Sequence, residues 1–325
     1  MSFFSKIKLY IKRIAIYFLI LTTLSSIVYT YSLYKKKQKK VEFSAIIDTD
    51  SGNGVSDLFV IARALADPKV GVIGLTSTQW NQHPDAPGST VILSQEMNDT
   101  LLKLFGREDI PHFRGAERMI SSWAVPVFQY SDAAEFIVQK AHEASKDKKL
   151  NIITLGAMTN LATAILIDST IVPKLRVYAS VLQYDIETKV WNKNEFNARN
   201  DLDALDLILN TKDLEVHIMP LSASRVFSLD ESETIDLIKN RGPQWNFLVD
   251  KLEDRSTRNK EPSNWSVALI EAILKPDDIK EDLTNTPPEN LRRQVYVYTW
   301  VNKEFMKIDY HDIIKKYISD NRNKY

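Results

Sequence analysis

The sequence contains no cysteine among its 325 residues. This absence excludes disulfide bonds, thiolate metal sites, cysteine nucleophiles and a lipid-modified N-terminal cysteine, but it leaves the cellular compartment undecided. The chain also lacks internal repeats and long low-complexity linkers. With 44% hydrophobic and 26% charged residues, its composition is that of a folded globular protein rather than a disordered or collagen-like chain.

Acidic residues are absent from residues 1–40, although the whole chain balances 42 basic against 42 acidic side chains. That segment contains nine lysines and arginines, which leaves 33 basic and 42 acidic residues in 41–325. A basic arm of this kind usually acts at a membrane or on a polyanion. The body is acidic, which argues against nucleic acid as a partner.

Charges are also absent from the 21 residues between Ile14 and Tyr34, a run with basic residues on both sides. A helix of this length rises about 31 Å, which matches the hydrocarbon layer of a bilayer. The run ends without the small-residue cleavage site of a signal peptide, and its flanking lysines disfavour a buried core helix. We therefore predict a single-pass membrane anchor over 1–40 and a folded domain over 41–325. The flanking charges hardly determine the orientation of the anchor in the membrane. A location of the folded domain outside the cytoplasm is slightly favoured.

Short β-branched runs alternate with segments of helical period in the body. The predicted strands cover 45–48, 70–76, 150–155, 175–182, 215–219 and 294–299. The predicted helices lie near 55–66, 90–105, 133–145, 160–167, 202–209, 231–239, 245–253 and 265–274. This alternation, with nearly continuous apolar strands, predicts an α/β fold with a mostly parallel central sheet flanked by helices. Ligands of such sheets bind beyond the carboxyl ends of the strands, so residues that follow strands are the candidates for a site.

Three acidic residues, Asp48, Asp50 and Asp57, lie at the junction between the first predicted strand and the first predicted helix. Carboxylates this close repel each other unless a cation or hydrogen-bond donors neutralise them. Oxygen ligands at this density favour a hard cation such as Ca²⁺ or Mg²⁺, and a water bound to it beside a carboxylate is a ready hydrolytic nucleophile. In the alternative interpretation, Asp48 and Asp50 cap the turn and Asp57 caps the next helix.

The stretch from Asp48 to Asp57 resembles the opening motif of the inosine–uridine nucleoside hydrolase family, often Asp-Thr-Asp-x-Gly-Asn-Asp-x-Asp-Asp. Further stretches are similar to motifs of that family in the same order: Trp80-Asn81, Gln95–Asn98, Ile110–Ala116, Leu155–Ala162, and Glu195–Asn197 followed by Asp201–Ala204. Together they span about residues 44–275, most of the body. The resemblance implies the nucleoside hydrolase fold, hydrolysis of the N-glycosidic bond of ribonucleosides, and a Ca²⁺ ion that binds a water and the ribose diol.

The resemblance also implies roles for individual residues. Asp50 and Asp57 would be carboxylate ligands of the metal, the backbone carbonyl of Leu155 would be a further ligand, and Asp50 would also be the general base. The substrate-binding positions would be Ser56, Asn81, Asn160, Glu195 and Asn197, with Asp48 as a structural residue near the site. Clustered carboxylates and oriented amides suit this reaction because the sugar acquires positive charge in the transition state.

Two serines depart from the family pattern. Ser56 stands where the family has a carboxylate that contacts the ribose hydroxyls, and Ser266 stands where it has its last metal-binding Asp. Affinity for Ca²⁺ depends on the charge of its ligands, so the sequence predicts weakened or lost calcium binding. The alternatives are an active membrane-anchored nucleoside hydrolase and a catalytically impaired relative that binds ligands or acts as a scaffold. A phosphatase with an Asp-x-Asp nucleophile would explain only Asp48-Thr49-Asp50. The sequence leaves base preference and oligomeric state open, a homo-oligomer included.

Overall fold

The computed structural model describes residues 17–26, 29, 41–121, 127–256 and 266–322. The chain divides into two units, Met1–Val41 and Glu42–Tyr325. In the first unit, residues 17–26 and 29 are helical, and the rest of the predicted anchor span, 14–34, lies outside the described residues. In the part of the chain that the structure describes, no helix combines the length and the apolar character needed to cross a membrane.

The strands of the second unit form an eight-stranded sheet and a separate hairpin within the described residues. The sheet contains β1 (Phe43–Thr49), β2 (Val70–Ser77), β3 (His112–Arg114), β4 (Leu150–Thr154), β5 (Leu175–Ser180), β8 (Glu215–Met219), β9 (Ile279–Asn285) and β10 (Gln294–Val301), and the hairpin contains β6 (Gln183–Asp185) and β7 (Val190–Asn192). The strand order in the sheet is β3-β2-β1-β4-β5-β8-β10-β9. All neighbouring pairs are parallel except β10 with β9.

Helices connect the parallel strands and cover both faces of the sheet. They are α1 (Ser56–Ala66), α2 (Thr90–Phe105), α3 (Asp132–Glu143), α4 (Thr159–Ile167), α5 (Phe196–Asn200), α6 (Leu202–Asn210), α7 (Leu221–Ser224), α8 (Glu231–Ile238), α9 (Pro243–Ser256), α10 (Ser266–Leu274) and α11 (Lys303–Asp320). Short 3-10 turns occupy Ser169–Lys174 and Pro276–Asp278.

Two hydrophobic cores lie on opposite faces of the sheet. Successive side chains of a strand point to opposite faces. Ile47 therefore belongs to the core that contains residues of α1, α2, α9, α10 and α11, whereas the adjacent Ile46 belongs to the core that contains residues of α3, α4 and α6. Both isoleucines are fully buried. This arrangement confirms the predicted α/β fold with a mostly parallel sheet between helices.

Several elements of the structure were not predicted. The edge strand β9 is half-exposed and rich in charge, so it lacks the apolar run that marks an interior strand. In α11, the buried residues Met306, Tyr310 and Ile314 are four positions apart, but Phe305 and Ile308 are 62% and 58% exposed. These exposed apolar side chains blur the helical pattern. The hairpin β6–β7 and the three-residue strand β3 are too short to leave a periodic pattern.

Candidate functional site

A cavity of about 650 Å³ lies beyond the carboxyl ends of β1, β4 and β5. The predicted site residues that line it are Asp50, Ser56, Asp57, Leu155, Glu195, Asn197 and Ser266. They come from the β1–α1 turn, the residue after β4, the start of α5 and the start of α10. A cavity of this size is typical of small-molecule sites, and the strand ends therefore gather most of the predicted site residues around one space.

Asp50 and Asp57 form the acidic floor of the cavity and are 5% and 6% exposed. Thr49 Oγ1 donates to Asp57 Oδ2 at 2.6 Å, and the two carboxyl groups hydrogen-bond to each other. Burial raises the pKa of Asp57 to about 6, although bonds from Thr49 and Ser266 lower it. Burial, and then the charges of Asp57 and Glu195, raise the pKa of Asp50 well above its usual value. Such a pair retains a proton closer to neutral pH and can therefore provide a general base of suitable strength.

The two serines that depart from the family pattern meet where α1 and α10 begin. The backbone N–H of Ser266 donates to Ser56 Oγ at 2.9 Å, and the Ser266 hydroxyl hydrogen-bonds to Asp57. Both serines are buried. Their hydroxyl groups therefore lie beside the acidic floor, where they supply hydrogen bonds but no charge.

Glu195 and Asn197 lie at the start of α5 and form a wall of the cavity. The Glu195 carboxylate caps the helix and accepts three backbone N–H groups at 3.1, 3.1 and 3.2 Å. Burial raises the pKa of Glu195, although these three bonds lower it. Asn197 Nδ2 donates to the carbonyl oxygens of Leu155 at 2.7 Å and Ser180 at 2.8 Å. Both side chains are thus held in one orientation, and Asn197 joins the ends of β4 and β5.

Asp48 and Asn160 do not belong to the cavity lining. Asp48 Oδ1 accepts hydrogen bonds from Thr76 Oγ1 at 2.7 Å and Asn160 Nδ2 at 2.8 Å, and burial raises the pKa of Asp48 to about 6. Asn160 Nδ2 also donates to the Ser77 carbonyl at 2.9 Å. A Cβ at Gly115 would lie only 2.4 Å from Asn160 Oδ1, so the backbone approaches this amide too closely for another residue. These contacts join β1, β2 and α4.

Asn81 also lies outside the lining. Its Nδ2 donates to the Glu117 carbonyl at 2.7 Å, and its Oδ1 accepts a hydrogen bond from Thr90 Oγ1 at 2.6 Å. Asn81 therefore joins the loop after β2 to the start of α2. His83 does line the cavity and packs edge-on against Phe196, with ring centroids 5.9 Å apart. His83 is not among the predicted site residues, although its place two residues after a motif is a signal that could have found it.

Three basic side chains of the lining were also missed: Arg199, Arg225 and Lys251. Arg199 and Arg225 are exposed and Lys251 is half-buried, so they lie at the outer part of the cavity. We call these three residues the basic mouth. Arg199 follows the Glu195–Asn197 motif on α5, which is a signal in the sequence, whereas Arg225 follows α7 and Lys251 belongs to α9, where no motif occurs.

The floor offers a hard cation the kind of ligand that it prefers. Asp50, Asp57, the Leu155 carbonyl and the hydroxyls of Ser56 and Ser266 are all oxygen donors, which suit Ca²⁺. A cation would also relieve the repulsion between the buried carboxylates. In the part of the chain that the structure describes, no group of three or more His, Asp or Glu side chains is arranged as a metal site. The donor atoms are thus of the kind that binds a hard cation, but they carry less negative charge than those of the family pattern.

Comparison with known proteins decides the family. A family model described as inosine-uridine preferring nucleoside hydrolase matches residues 45–274. The chain belongs to this family. It is 23% identical over 233 residues to "Probable uridine nucleosidase 2" of Oryza sativa subsp. japonica, a match that covers 64% of this chain and 65% of that protein. It is 23% identical over 230 residues to "Uridine nucleosidase 1" of Arabidopsis thaliana, covering 63% of this chain and 64% of that protein.

Two solved structures illustrate how widely the fold of this chain is shared. The structure titled "Inosine-Guanosine Nucleoside Hydrolase (IG-NH)" superposes with a TM-score of 0.66 at 22% identity and covers 85% of this chain and 99% of that one. The type III effector protein XopQ, solved as a complex with adenosine diphosphate ribose, has a TM-score of 0.64 at 11% identity and covers 91% and 99%. Identities this low show the likeness of the folds alone.

Proposed function

We propose that this protein is a nucleoside hydrolase that cleaves the N-glycosidic bond of ribonucleosides and releases the free base and ribose. The observation that carries the proposal is the arrangement of Asp50, Asp57, Glu195 and Asn197 around one cavity in a chain of the nucleoside hydrolase family. Two plant relatives are named uridine nucleosidases, which supports a ribonucleoside as the substrate.

The proposed reaction adds one water across the bond between C1′ of the ribose and the nitrogen of the base. Asp50 accepts a proton from the attacking water, the water oxygen becomes the C1′ hydroxyl, and the departing base takes its proton from solvent. Because the C1′–N bond breaks ahead of full attack, the ribose acquires positive charge. The carboxylates of Asp57 and Glu195 would stabilise that charge.

The Ca²⁺ ion that the family implies would be held by Asp50, Asp57 and the Leu155 carbonyl. The chemistry that a hard cation supplies at such a site is a lower pKa of a nearby water. Ser56 and Ser266 provide hydroxyls where the family pattern has carboxylates. We propose that calcium binding by this chain is weak for that reason, since affinity depends on the charge of the ligands.

A second candidate function is ligand binding without turnover. Two hydrogen bonds favour it: Asn197 Nδ2 donates to the Leu155 carbonyl at 2.7 Å, and the Ser266 N–H donates to Ser56 Oγ at 2.9 Å. These bonds engage the Leu155 carbonyl and the Ser56 hydroxyl, to which the resemblance assigns metal binding and ribose binding. An effector of the same fold was solved with adenosine diphosphate ribose bound, which supports a binding module for ribose-containing ligands.

Turnover of a p-nitrophenyl riboside by the full chain tests the first candidate. We expect measurable release of p-nitrophenol, and we expect Asp50→Asn to lower kcat by about 10²–10⁴, the usual contribution of a general base. Asp109→Asn is the matched control, because Asp109 is 66% exposed and pairs with Arg107 outside the cavity. Absence of turnover, with ribose binding retained, would replace the hydrolase by the binding module.

We also propose that the uncharged run over 14–34 anchors the protein in a membrane with an extracytoplasmic body. The support is its length, its lack of charge and its basic flanks. The full chain should stay in the membrane fraction after a carbonate wash, and Leu19→Lys with Leu21→Lys should release it. Protease added to intact cells or vesicles should digest the body only if it lies outside, so protection from digestion would reverse the orientation.

A further inference from the structure

The cavity carries opposite charges at its two ends. The carboxylates of Asp50, Asp57 and Glu195 at its inner end are only 5–7% exposed, whereas two residues of the basic mouth are exposed and the third is half-buried. Asp254 also lines the cavity, so the mouth has an excess of two positive charges. A phosphate monoester carries a charge of about −1.5 to −2 at neutral pH and would match this excess.

We propose that the preferred ligand of this cavity is a ribose that carries a phosphate, as in a nucleoside 5′-phosphate, rather than an unmodified nucleoside. The ribose would lie at the acidic floor, and the phosphate would bind at the basic mouth. The position of the ribose rests on the proposed function, whereas the position of the phosphate rests on the charges of the lining. A neutral nucleoside would bring no negative charge to the basic mouth.

Arg199 is the residue best placed to join the two ends. It lies four residues after Glu195 and two after Asn197, and residues four apart share a helix face. Its positive charge already acts on the Glu195 carboxylate, so the guanidinium lies within electrostatic reach of that carboxylate. Its Nη1 donates to Asn194 Oδ1 at 2.8 Å, which uses one of the five N–H donors of a guanidinium. The planar guanidinium binds phosphate oxygens in pairs, which suits a phosphate attached to a ribose at this wall.

Lys251 adds a second cation from a separate element. Its Nζ lies 5.3 Å from the centre of the Phe247 ring, a contact that orients the ammonium while leaving its charge available. Lys251 belongs to α9 and Arg199 to α5, so the two cations approach the cavity from different parts of the chain. Cations from different elements can contact different oxygens of the same phosphate.

Calorimetry on the full chain with three simple probes tests the proposal: ribose, ribose 5-phosphate and inorganic phosphate. We expect ribose 5-phosphate to bind at least about tenfold more tightly than either of the others, since a hydrogen bond to a charged group is worth at least that factor. Arg199→Gln and Lys251→Gln should each reduce this preference, and raising the salt concentration should reduce it as well. Arg107→Gln, which removes a positive charge outside the cavity, should leave the preference unchanged.

Equal affinities for ribose and ribose 5-phosphate, or for ribose 5-phosphate and inorganic phosphate, would overturn the proposal. So would a preference that survives in the Arg199→Gln/Lys251→Gln double variant with its thermal unfolding unchanged. The assay of turnover separates the two proposals. Hydrolysis of a riboside without any preference for the phosphate keeps the proposed function and removes this inference. A clear preference without hydrolysis of a nucleoside or its 5′-phosphate keeps this inference and removes the hydrolase.

Discussion

Removal of the Arg63 guanidinium should destabilise the protein strongly. Arg63 lies in α1 and is fully buried. It donates to Glu271 of α10 at 2.7 Å, to Asp67 at 2.8 Å and to Asp309 of α11 at 2.9 Å. One cation thus joins three helices that cover the same face of the sheet.

The magnitude follows from what Arg63→Met would leave behind. Glu271 is 0% exposed and Asp67 is 5% exposed, so both would lose a cation that solvent cannot replace. Removing one partner of a buried ion pair costs about 3–5 kcal/mol. Burial raises the pKa of Glu271 to about 7 even beside Arg63, so without Arg63 this carboxyl can be neutral at pH 7. Protonation of Glu271 limits the destabilisation, so we expect Arg63→Met to lower the free energy of unfolding by about 3 kcal/mol, the low end of the range.

Urea denaturation of the full chain, followed by far-UV circular dichroism, measures this loss. Arg107→Met is the matched control, because Arg107 is 40% exposed and pairs with the exposed Asp109; it should cost less than about 0.5 kcal/mol. Arg63→Met/Glu271→Leu should recover part of the stability, since apolar residues often replace a buried ion pair without loss. The reasoning would be refuted if Arg63→Met lowered the free energy of unfolding by less than about 1 kcal/mol, or if the double variant were less stable than Arg63→Met alone.

Three further predictions concern the site and its support. Calorimetric titration of the full chain with Ca²⁺ should show weak or no binding, and the double variant Ser56→Asp/Ser266→Asp should bind Ca²⁺ tightly. Tight binding by the unmodified chain would contradict the argument from ligand charge. If the chain hydrolyses ribosides, kcat/KM should fall as the pH drops through the raised pKa of the acidic floor, because the general base Asp50 must be deprotonated. Asp57→Asn should shift this fall to lower pH. A fall near the ordinary carboxylate pKa of about 4 in the unmodified chain would contradict the assignment of Asp50 as the base. Gly115→Ala places a Cβ 2.2 Å from a backbone oxygen, whereas the added Cβ of Gly54→Ala meets nothing within 4 Å. Thermal denaturation should therefore show that Gly115→Ala lowers the stability of the protein by about 1–3 kcal/mol and that Gly54→Ala does not.

The sequence predicts those elements whose pattern is local. The strands β1, β2, β4 and β8 are short apolar runs between turns, and their predicted bounds lie within two residues of the observed ones. The hairpin β6–β7 depends instead on distant contacts. Trp191 Nε1 donates to the carbonyl of Asn285 at 2.9 Å, across 94 residues of sequence, and both Leu182 and Lys189 adopt positive φ angles of 71° and 60°. No local pattern of residues predicts such contacts.

The motifs identify residues near the site but not the direction of their side chains. Asp50, Asp57 and Glu195 reach one cavity because Asp50 follows β1, Asp57 lies in the first turn of α1 and Glu195 caps α5, all at the carboxyl edge of the sheet. Asn81 and Asn160 belong to equally good motifs, yet their amides bridge backbone segments outside the lining. A motif records the type and spacing of residues, whereas the direction of an amide depends on which unpaired backbone groups surround it.

The acidic residues of the site lower the stability of the protein at neutral pH. Burial raises the pKa of Asp57 from a usual value of 3.8 to about 6, and it raises that of Asp50 as well. A carboxyl group whose pKa is higher in the folded state contributes stability below pH 3.8, and this contribution is lost as the pH rises through about 6. At pH 7 the folded protein therefore holds charges that it would be more stable without. A bound cation would relieve this cost and stabilise the native state by mass action. The cluster is thus explained by a ligand that binds it, since stability alone would favour neutral side chains at these positions.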